Sequence, residues 1–558
     1  TYQFDGPFIQ QVTSGGHEVL DKGVTLLADT GDGPRPVIFG DPQVSQTHQD
    51  HVVFTGQGKL NDLTIRYTNT VWFDGFSRVQ FEVGPAETTL KSLRLTYAVK
   101  PEYSKYHTMA TWRSFEKGGN HYAFNHDAWR GFSQLWLMGD THGFCWVPEN
   151  EGNWVYPQGD KPIHLYKGDA PDAVARVVLD LIAQPVTIPE NLTYSFGFIA
   201  TPTRPLPEDF RTFATGGWNL ENTTARSVGW GGRGFTSYAS LIPLTAEMHL
   251  PGKTYDELLH DVWSRNGILS FPYSSPTGLS SDDDVVAFYK DCWEVPGSSA
   301  FPISDVHGKQ YHQVYVTPTR IMRDFFAQKV ENFLSRRDKE IGGVYYDLCF
   351  VMPIRNAYAP TCGAFTDAFG RKIPSQLNTI GLRECLMRTL KICRKYDKRA
   401  WYHGHVVYNP AVMGLGDFWY PGEHLATPLA NNPYYYLDEM PISSYETEFN
   451  PHQKGVGVIN LPVISRVYRE RGDDPKPTES MLGMMMLNDI ISSATQAHLP
   501  TIDKMWGIRK RYQLDKSNFI RFDRNSGFES SSPDVVSSFY QLKDGRLFAI
   551  IVNRSPED

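Results

Sequence analysis

No run of lysine or arginine stands out in this chain, and its formal net charge is −8 with an isoelectric point near 6.1. The electrostatic footprint of a nucleic-acid binder is missing, so no nucleic-acid partner is expected. A local basic pocket for one sulfate or carboxylate is still compatible with that balance. No apolar run reaches the roughly 18 residues needed to span a bilayer, so no membrane partner is expected either. The first ten residues, TYQFDGPFIQ, lack the basic and apolar regions of a signal peptide. A start at Thr1 rather than Met hints that a segment was removed, and the expected location is secreted or periplasmic.

Cysteine is scarce too. The six present (Cys145, Cys292, Cys349, Cys362, Cys385, Cys393) show no CxxC spacing, which suggests neither a zinc site nor a redox motif. Cys385 and Cys393 fall in one helical pattern, too far apart along it to bond, and the set suits either redox compartment. No cofactor and no metal are expected. Three glycosylation sequons begin at Asn191, Asn222 and Asn553, a pattern that arises often by chance. The acidic run 281–286 (SDDDVV) reads as a solvated turn.

Aromatics are abundant, at 13% with 13 Trp and 29 Tyr. Large β-rich cores account for part of that surplus, and rings that stack on sugar faces are a second use. At 558 residues the chain is too long for one core. Up to about residue 205 it reads as β-structure: 63–67 (LTIRY), 79–83 (VQFEV), 90–99 (LKSLRLTYAV), 175–182 (ARVVLDLI) and 192–200 (LTYSFGFIA) alternate or run apolar between turn residues. That spacing predicts an N-terminal β-sandwich over 1–205, with the proline-rich stretch 201–209 as its exit.

The period then changes. Residues 319–335 place Ile321, Phe325, Val330 and Phe333 on one helical face, and 375–396 does the same with Leu377, Ile380, Cys385, Leu386, Leu390 and Cys393. Strand-like runs alternate with them at 312–318, 342–348, 399–407, 414–420 and 455–465, expected as the third to seventh strands of a parallel sheet. A Met-rich helix is expected over 479–497 and an eighth strand near 506. The predicted fold is multidomain: the sandwich, a central (β/α)8 TIM-like barrel over 206–515, and a short C-terminal β-domain over 516–558 that begins with a hairpin around Lys543, Asp544 and Gly545. A homo-oligomer is compatible with all of this.

Two stretches carry the chemistry, GVYYDLCF (343–350) and GDFWYPGEHL (416–425), about seventy residues apart. Each reads as a buried strand ending in a carboxylate among aromatic and turn residues, and in an α/β barrel the strand ends at the C-terminal face are where catalysis occurs. Glycoside cleavage needs two carboxyl groups flanking the bond. Asp347 is the expected nucleophile, and Glu423 the expected general acid, with Asp417 the next choice. A wall of Trp419 and Tyr420 would favour the acid's neutral form. His403 and His405 alternate onto one face and could donate to substrate oxygens. At i, i+2 they could instead share a metal, but no third ligand is evident. Tyr346, Trp401, Trp419, Tyr420, His424, Trp293, His312, Trp506 and Arg509 complete the expected contacts to a carbohydrate substrate.

The segments 72–83 (WFDGFSRVQFEV), 90–99, 143–154 (GFCWVPENEGNW) and 197–207 (GFIATPTRPLP), in that order, resemble the N-terminal β-sandwich of glycoside hydrolase family 123 and its relatives. The resemblance implies a glycosidase. Family 123 enzymes use adjacent Asp and Glu to exploit the substrate's own acetamido group, which would fall here on Asp438 and Glu439. Those residues follow the sixth expected strand rather than the fourth. Barrels of the α-galactosidase and α-N-acetylgalactosaminidase type, with acids on strands four and six, resemble the spacing better and imply a galactose-type or N-acetylgalactosamine-type sugar, cleaved with retention. A carbohydrate-binding protein without catalysis is the alternative from another class.

Overall fold

A computed structural model of the chain describes residues 1–110, 116–117, 121–124, 132–168, 170, 172–216, 220–228, 267–280, 284–295, 301–306, 309–356, 363–402, 404, 408–467, 474–524 and 527–555. In the N-terminal part, a ten-stranded and a six-stranded antiparallel sheet face one another. The alternation read in the sequence sets their inner faces. Leu63, Ile65 and Tyr67 on Leu63–Trp72, Val79, Phe81 and Val83 on Ser77–Gly84, and Leu93, Leu95 and Tyr97 on Ser92–Val99 enter one core. Register places Phe81 opposite both Tyr67 and Tyr194, and its ring stacks on Tyr194 at 5.2 Å. Each large side chain so buried contributes roughly 1.5–3 kcal/mol.

The back of the larger sheet is covered as well. Phe76, Trp136, Met138, Val147 and Ile199 join a second core with residues from later in the chain. A buried ion pair ties the two parts together, Arg383 donating to Asp74 at 2.5 Å with both side chains about fully enclosed.

Beyond residue 215 the main element is a seven-stranded parallel sheet whose strands follow sequence order: Ala225–Val228, Leu269–Ser274, Gly343–Tyr346, Arg399–Tyr402, Phe418–Trp419, Gly457–Asn460 and Ile491–Ser492. Helices Arg320–Leu334 and Thr379–Lys395 lie between successive strands and pack on each other. Thr215 touches both ends of this sheet. It forms a parallel bridge with Ala225, and its carbonyl accepts the Ala494 N–H at 2.7 Å.

Several expectations need correction. The run 312–318 is not a strand of the parallel sheet. Lys309–Tyr315 belongs to a separate antiparallel sheet with Gly278–Ser280 and Phe301–Val306, and Leu269–Ser274 takes the expected place beside Gly343–Tyr346. On Arg320–Leu334 the expected Val330 and Phe333 are buried, but in the first half of the helix Met322 and Phe326 take the places expected of Ile321 and Phe325, leaving Ile321 exposed. The Met-rich helix is Lys476–Leu487. It stops because Asp489 takes a left-handed φ of 60° and the Ile490 N–H turns back to the Met485 carbonyl at 2.9 Å, so the last strand begins at Ile491. Residues 499–511 are helix, not the eighth strand. The C-terminal hairpin is as expected, Val535–Gln541 paired with Leu547–Asn553 and flanked by Asn518–Ile520.

Candidate active site

Strand parity decides which side chains of the parallel sheet face one another. Phe271, Tyr273, Tyr345, Trp401 and Tyr420 form one continuous aromatic cluster, with Tyr345 to Trp401 at 4.5 Å, Trp401 to Tyr420 at 5.3 Å, Tyr273 to Tyr345 at 5.1 Å and Tyr345 to Tyr420 at 6.3 Å between ring centroids. Phe213 stacks on Phe418 at 4.0 Å and meets Phe271 and Trp401 edge-on, closing the cluster at the N-terminal ends of the strands. At the C-terminal ends lie the hydroxyls of Tyr273 and Tyr420. The latter is 2.6 Å from Ser493 Oγ, and burial pushes its pKa up to about 12.

Asp347 follows Gly343–Tyr346 directly, with its N–H donating to the Ser274 carbonyl at 2.8 Å. It is buried. The Tyr273 hydroxyl donates to one carboxylate oxygen, and the Leu348 N–H donates to the other at 2.7 Å. Leu348 has φ 56°, an uncommon conformation for a branched residue, and its carbonyl accepts from Thr277 Oγ1 at 2.6 Å. Strain of this kind tends to collect at functional sites.

Glu423 opens a single helical turn, Glu423–Leu425, after the Phe418–Trp419 strand, and is partly exposed. Gly422, at φ 120°, makes the approach possible, because a Cβ there would lie 2.5 Å from the Leu461 carbonyl oxygen. The Glu423 charge adds a smaller upward push on the pKa of the Tyr420 phenol. Neighbouring His424 meets Glu448 at 3.1 Å. Burial pulls the imidazole's pKa down, but the Glu448 charge and hydrogen bond more than offset this, and the net shift is upward. Among the described residues no group of three or more His, Cys, Asp or Glu could hold a metal ion.

Residues 3–144 match the family model for the third domain of glycoside hydrolase family 123. The match contains two of the four segments that carried the resemblance in the sequence, 72–83 and 90–99. No curated protein sequence matches the chain. Among solved structures, the galactosidase domain of an α-galactosidase–sucrose kinase is similar at 11% identity, covering 98% of this chain and 81% of that one with a TM-score of 0.49. A family 36 α-galactosidase from Geobacillus stearothermophilus is 13% identical, covering 96% and 79%, with a TM-score of 0.48. The α-galactosidase from Lactobacillus brevis is 10% identical, covering 96% and 79%, with a TM-score of 0.49. Likeness at this level carries no weight for the chemistry, which rests on the residues above.

Other expected contacts lie elsewhere. Asp417 precedes its strand instead of ending it. Its N–H bonds the Ala400 carbonyl at 2.6 Å, and its carboxylate is held by Arg394 at 2.5 and 3.0 Å, by Arg204 at 3.1 Å and by the Ala400 N–H at 2.9 Å. Burial would raise its pKa, but the Arg394 hydrogen bonds and the two guanidinium charges lower it overall, which suits an anchor and not a proton donor. Tyr346 faces outward, stacked on Tyr402 at 5.5 Å and edge-on to Phe326 of the helical layer. Trp401 is 1% exposed within the aromatic cluster. Trp419 packs outward near Tyr408, and Trp293 stacks on Tyr289 beside Phe325. Trp506 Nε1 donates to the Ser492 carbonyl at 3.3 Å from helix Leu499–Arg511, and Arg509 donates to Ile490, where the last strand starts. Of these, Tyr346 and Trp419 face away from the inner ring cluster, and Asp417 and Arg509 lie at the strands' N-terminal ends. Asp438 and Glu439 are exposed on a short helix and share the Asn432 amide, at 3.2 and 2.9 Å. His403 and His405 lie outside the described residues, as does the side chain of His312.

Tyr273, Ser493 and Glu448 were missed by the sequence reading. Tyr273 sits in LSFPYS (269–274), to which the sequence reading assigned no strand; the alternation of Phe271 and Tyr273 is the signal for one, though nothing in it marks the phenol as a donor to Asp347.

Proposed function

We propose that the chain is a glycoside hydrolase with Asp347 as nucleophile and Glu423 as acid/base. The observation that carries this reading is that both residues follow the C-terminal ends of parallel strands, with Asp347 held by Tyr273 of the inner tyrosine cluster. The seven paired strands plus the Thr215 segment make eight, and Thr215's two bonds to the first and last of them support a closed (β/α)8-type barrel. In such a barrel these strand ends form the mouth. The domain limits proposed are 1–205, 206–515 and 516–558; the sandwich has a core of its own between its two sheets, and the barrel core also takes in residues from the back of the larger sandwich sheet.

In the proposed reaction Glu423 protonates the departing glycosidic oxygen while Asp347 attacks the anomeric carbon. Water then releases the sugar with Glu423 acting as base, so configuration is retained. The Tyr273 and Leu348 donors hold the nucleophile's two oxygens in place, which limits the freedom lost on reaching the transition state. A galactose-type or N-acetylgalactosamine-type ring is what the family resemblance implies, and a secreted or periplasmic location fits a polysaccharide substrate.

The test follows hydrolysis of an aryl α-galactoside and of neutral galacto-oligosaccharides by the parent, Asp347→Asn and Glu423→Gln, with product anomers read by NMR. Loss of roughly 10³-fold or more in kcat for Asp347→Asn is expected of a nucleophile. For Glu423→Gln the expected loss is roughly 10²–10⁴-fold with poor leaving groups and less with activated ones. Full turnover in Asp347→Asn refutes the mechanism, and glycan binding without cleavage in the parent would favour a carbohydrate-binding protein.

A further inference from the structure

The larger sandwich sheet carries a second polar cleft, of about 500 Å³, that no residue of the Asp347 site lines. Strand register builds its floor. Thr68, Gln80 and Ser195 sit side by side on three adjacent strands, and Arg66, Glu82 and Thr193 form the next row. These residues alternate with Tyr67, Phe81 and Tyr194, which point into the sandwich core, so the floor is polar because its strands are half-buried. The facing wall comes from the barrel part. Phe365 lies so close over Gly152 that a Cβ there would be 2.5 Å from its ring, and Gln376 accepts from the Asn150 amide at 3.1 Å.

Charge within the cleft is cancelled locally. Arg78 makes two bonds to Glu149 at 2.7 and 2.6 Å, and Arg66 pairs with Glu82 at 3.0 Å. An ionic ligand would have to displace these pairs. Hydroxyl and amide groups remain, including the Ser195 Oγ, which is buried without a hydrogen-bond partner, together with one aromatic ring at the side. Small-ligand sites are typically about 300–1,000 Å³ and often lie between domains. Spaced neutral donors and acceptors beside a ring suit a polyhydroxylated chain.

We infer that this cleft between the sandwich and the 363–376 segment binds an uncharged stretch of glycan, separately from any cleavage. The inference does not depend on Asp347 chemistry, because binding is read without turnover. The full-length chain, as parent and as Gln80→Ala/Thr68→Ala, is run through native gels containing a neutral galactan or a sulfated galactan, and both proteins are assayed on a small aryl galactoside. Both substituted residues are on the sheet surface, and circular dichroism verifies that the fold is kept. Retardation of the parent by the neutral polymer, weakened about tenfold in the double variant, is the expected result, as loss of two modest hydrogen bonds implies. Turnover of the small substrate should be the same in both. Equal retardation of parent and variant, or retardation by the sulfated polymer alone, overturns the inference. Absence of aryl-galactoside turnover in the parent would count against the proposed hydrolase and leave the binding comparison intact.

Discussion

Asp417→Asn separates an anchor from a catalyst. The substitution keeps the side chain's shape and removes its charge, leaving two guanidiniums facing an amide. The site is enclosed on one side, with Asp417 2% exposed and Arg204 22%, and open on the other, with Arg394 45% exposed. Removing one partner of a buried ion pair typically costs about 3–5 kcal/mol, and solvent at Arg394 places this case near about 3 kcal/mol. At roughly 2 °C per kcal/mol for a domain of this size, the thermal midpoint should fall by about 6 °C. The assay pairs thermal and urea melts with steady-state turnover at a temperature where the variant is still folded. The expected outcome is a large loss of stability with kcat within about twofold of the parent, the reverse of what Asp347→Asn should show. A variant that melts with the parent and turns over at least about a hundredfold more slowly would refute the assignment of Asp417 to the structural end of the sheet.

Other perturbations probe the same account. Tyr273→Phe removes the hydroxyl that donates to Asp347, and it should lower kcat by about tenfold with KM nearly unchanged, measured by full saturation curves. Asp438→Asn combined with Glu439→Gln should leave both turnover and melting alone, since both side chains are exposed; a large fall in kcat would restore the substrate-assisted mechanism. Asp489 is fully buried against Arg211 and His452, and its pKa is lowered to about 2: burial opposes the shift, and the Arg211 charge with the two hydrogen bonds overcomes it. A depressed carboxylate pKa gives stability that is complete above the unfolded value near 4 and is lost as pH falls to about 2. The parent should therefore lose about 2 kcal/mol over that window in urea titrations, and Asp489→Asn should lose much less.

The sandwich was legible because its strands are half-buried and alternate, as Leu63, Ile65 and Tyr67 do against Arg66 and Thr68. The parallel strands were legible as apolar runs but not in their facing. Gly343–Tyr346 is buried at every position, so nothing in its pattern tells whether Tyr345 or Tyr346 turns inward. The sequence reading chose Tyr346, and the structure places Tyr345 among the inner rings. A similar ambiguity put Trp401 at the mouth when it fills the interior. Helix ends misled for a different reason: the Met-rich segment keeps its apolar character through Ile490 and Ile491, and the break comes from a backbone turn at Asp489 that apolar periodicity does not register.

Charge placement gives the two ends of the parallel sheet different characters. At the N-terminal ends Asp417 sits between guanidiniums, and Asp489, just before the last strand, is held by Arg211 and His452, so each negative charge is neutralised by a cation in direct contact. A carboxylate held that way is a poor nucleophile and a poor acid, because any reaction that removes its charge must first give up a buried ion pair. The Tyr273 phenol and the Leu348 backbone amide, both neutral, donate to Asp347. Such donors orient the oxygens and yet leave their charge available to a developing positive centre, which is the demand of an oxocarbenium-like transition state. Position along the strand thus sets Asp347 apart from Asp417, whose carboxylate is already committed to Arg394 and Arg204 at the opposite end of the sheet.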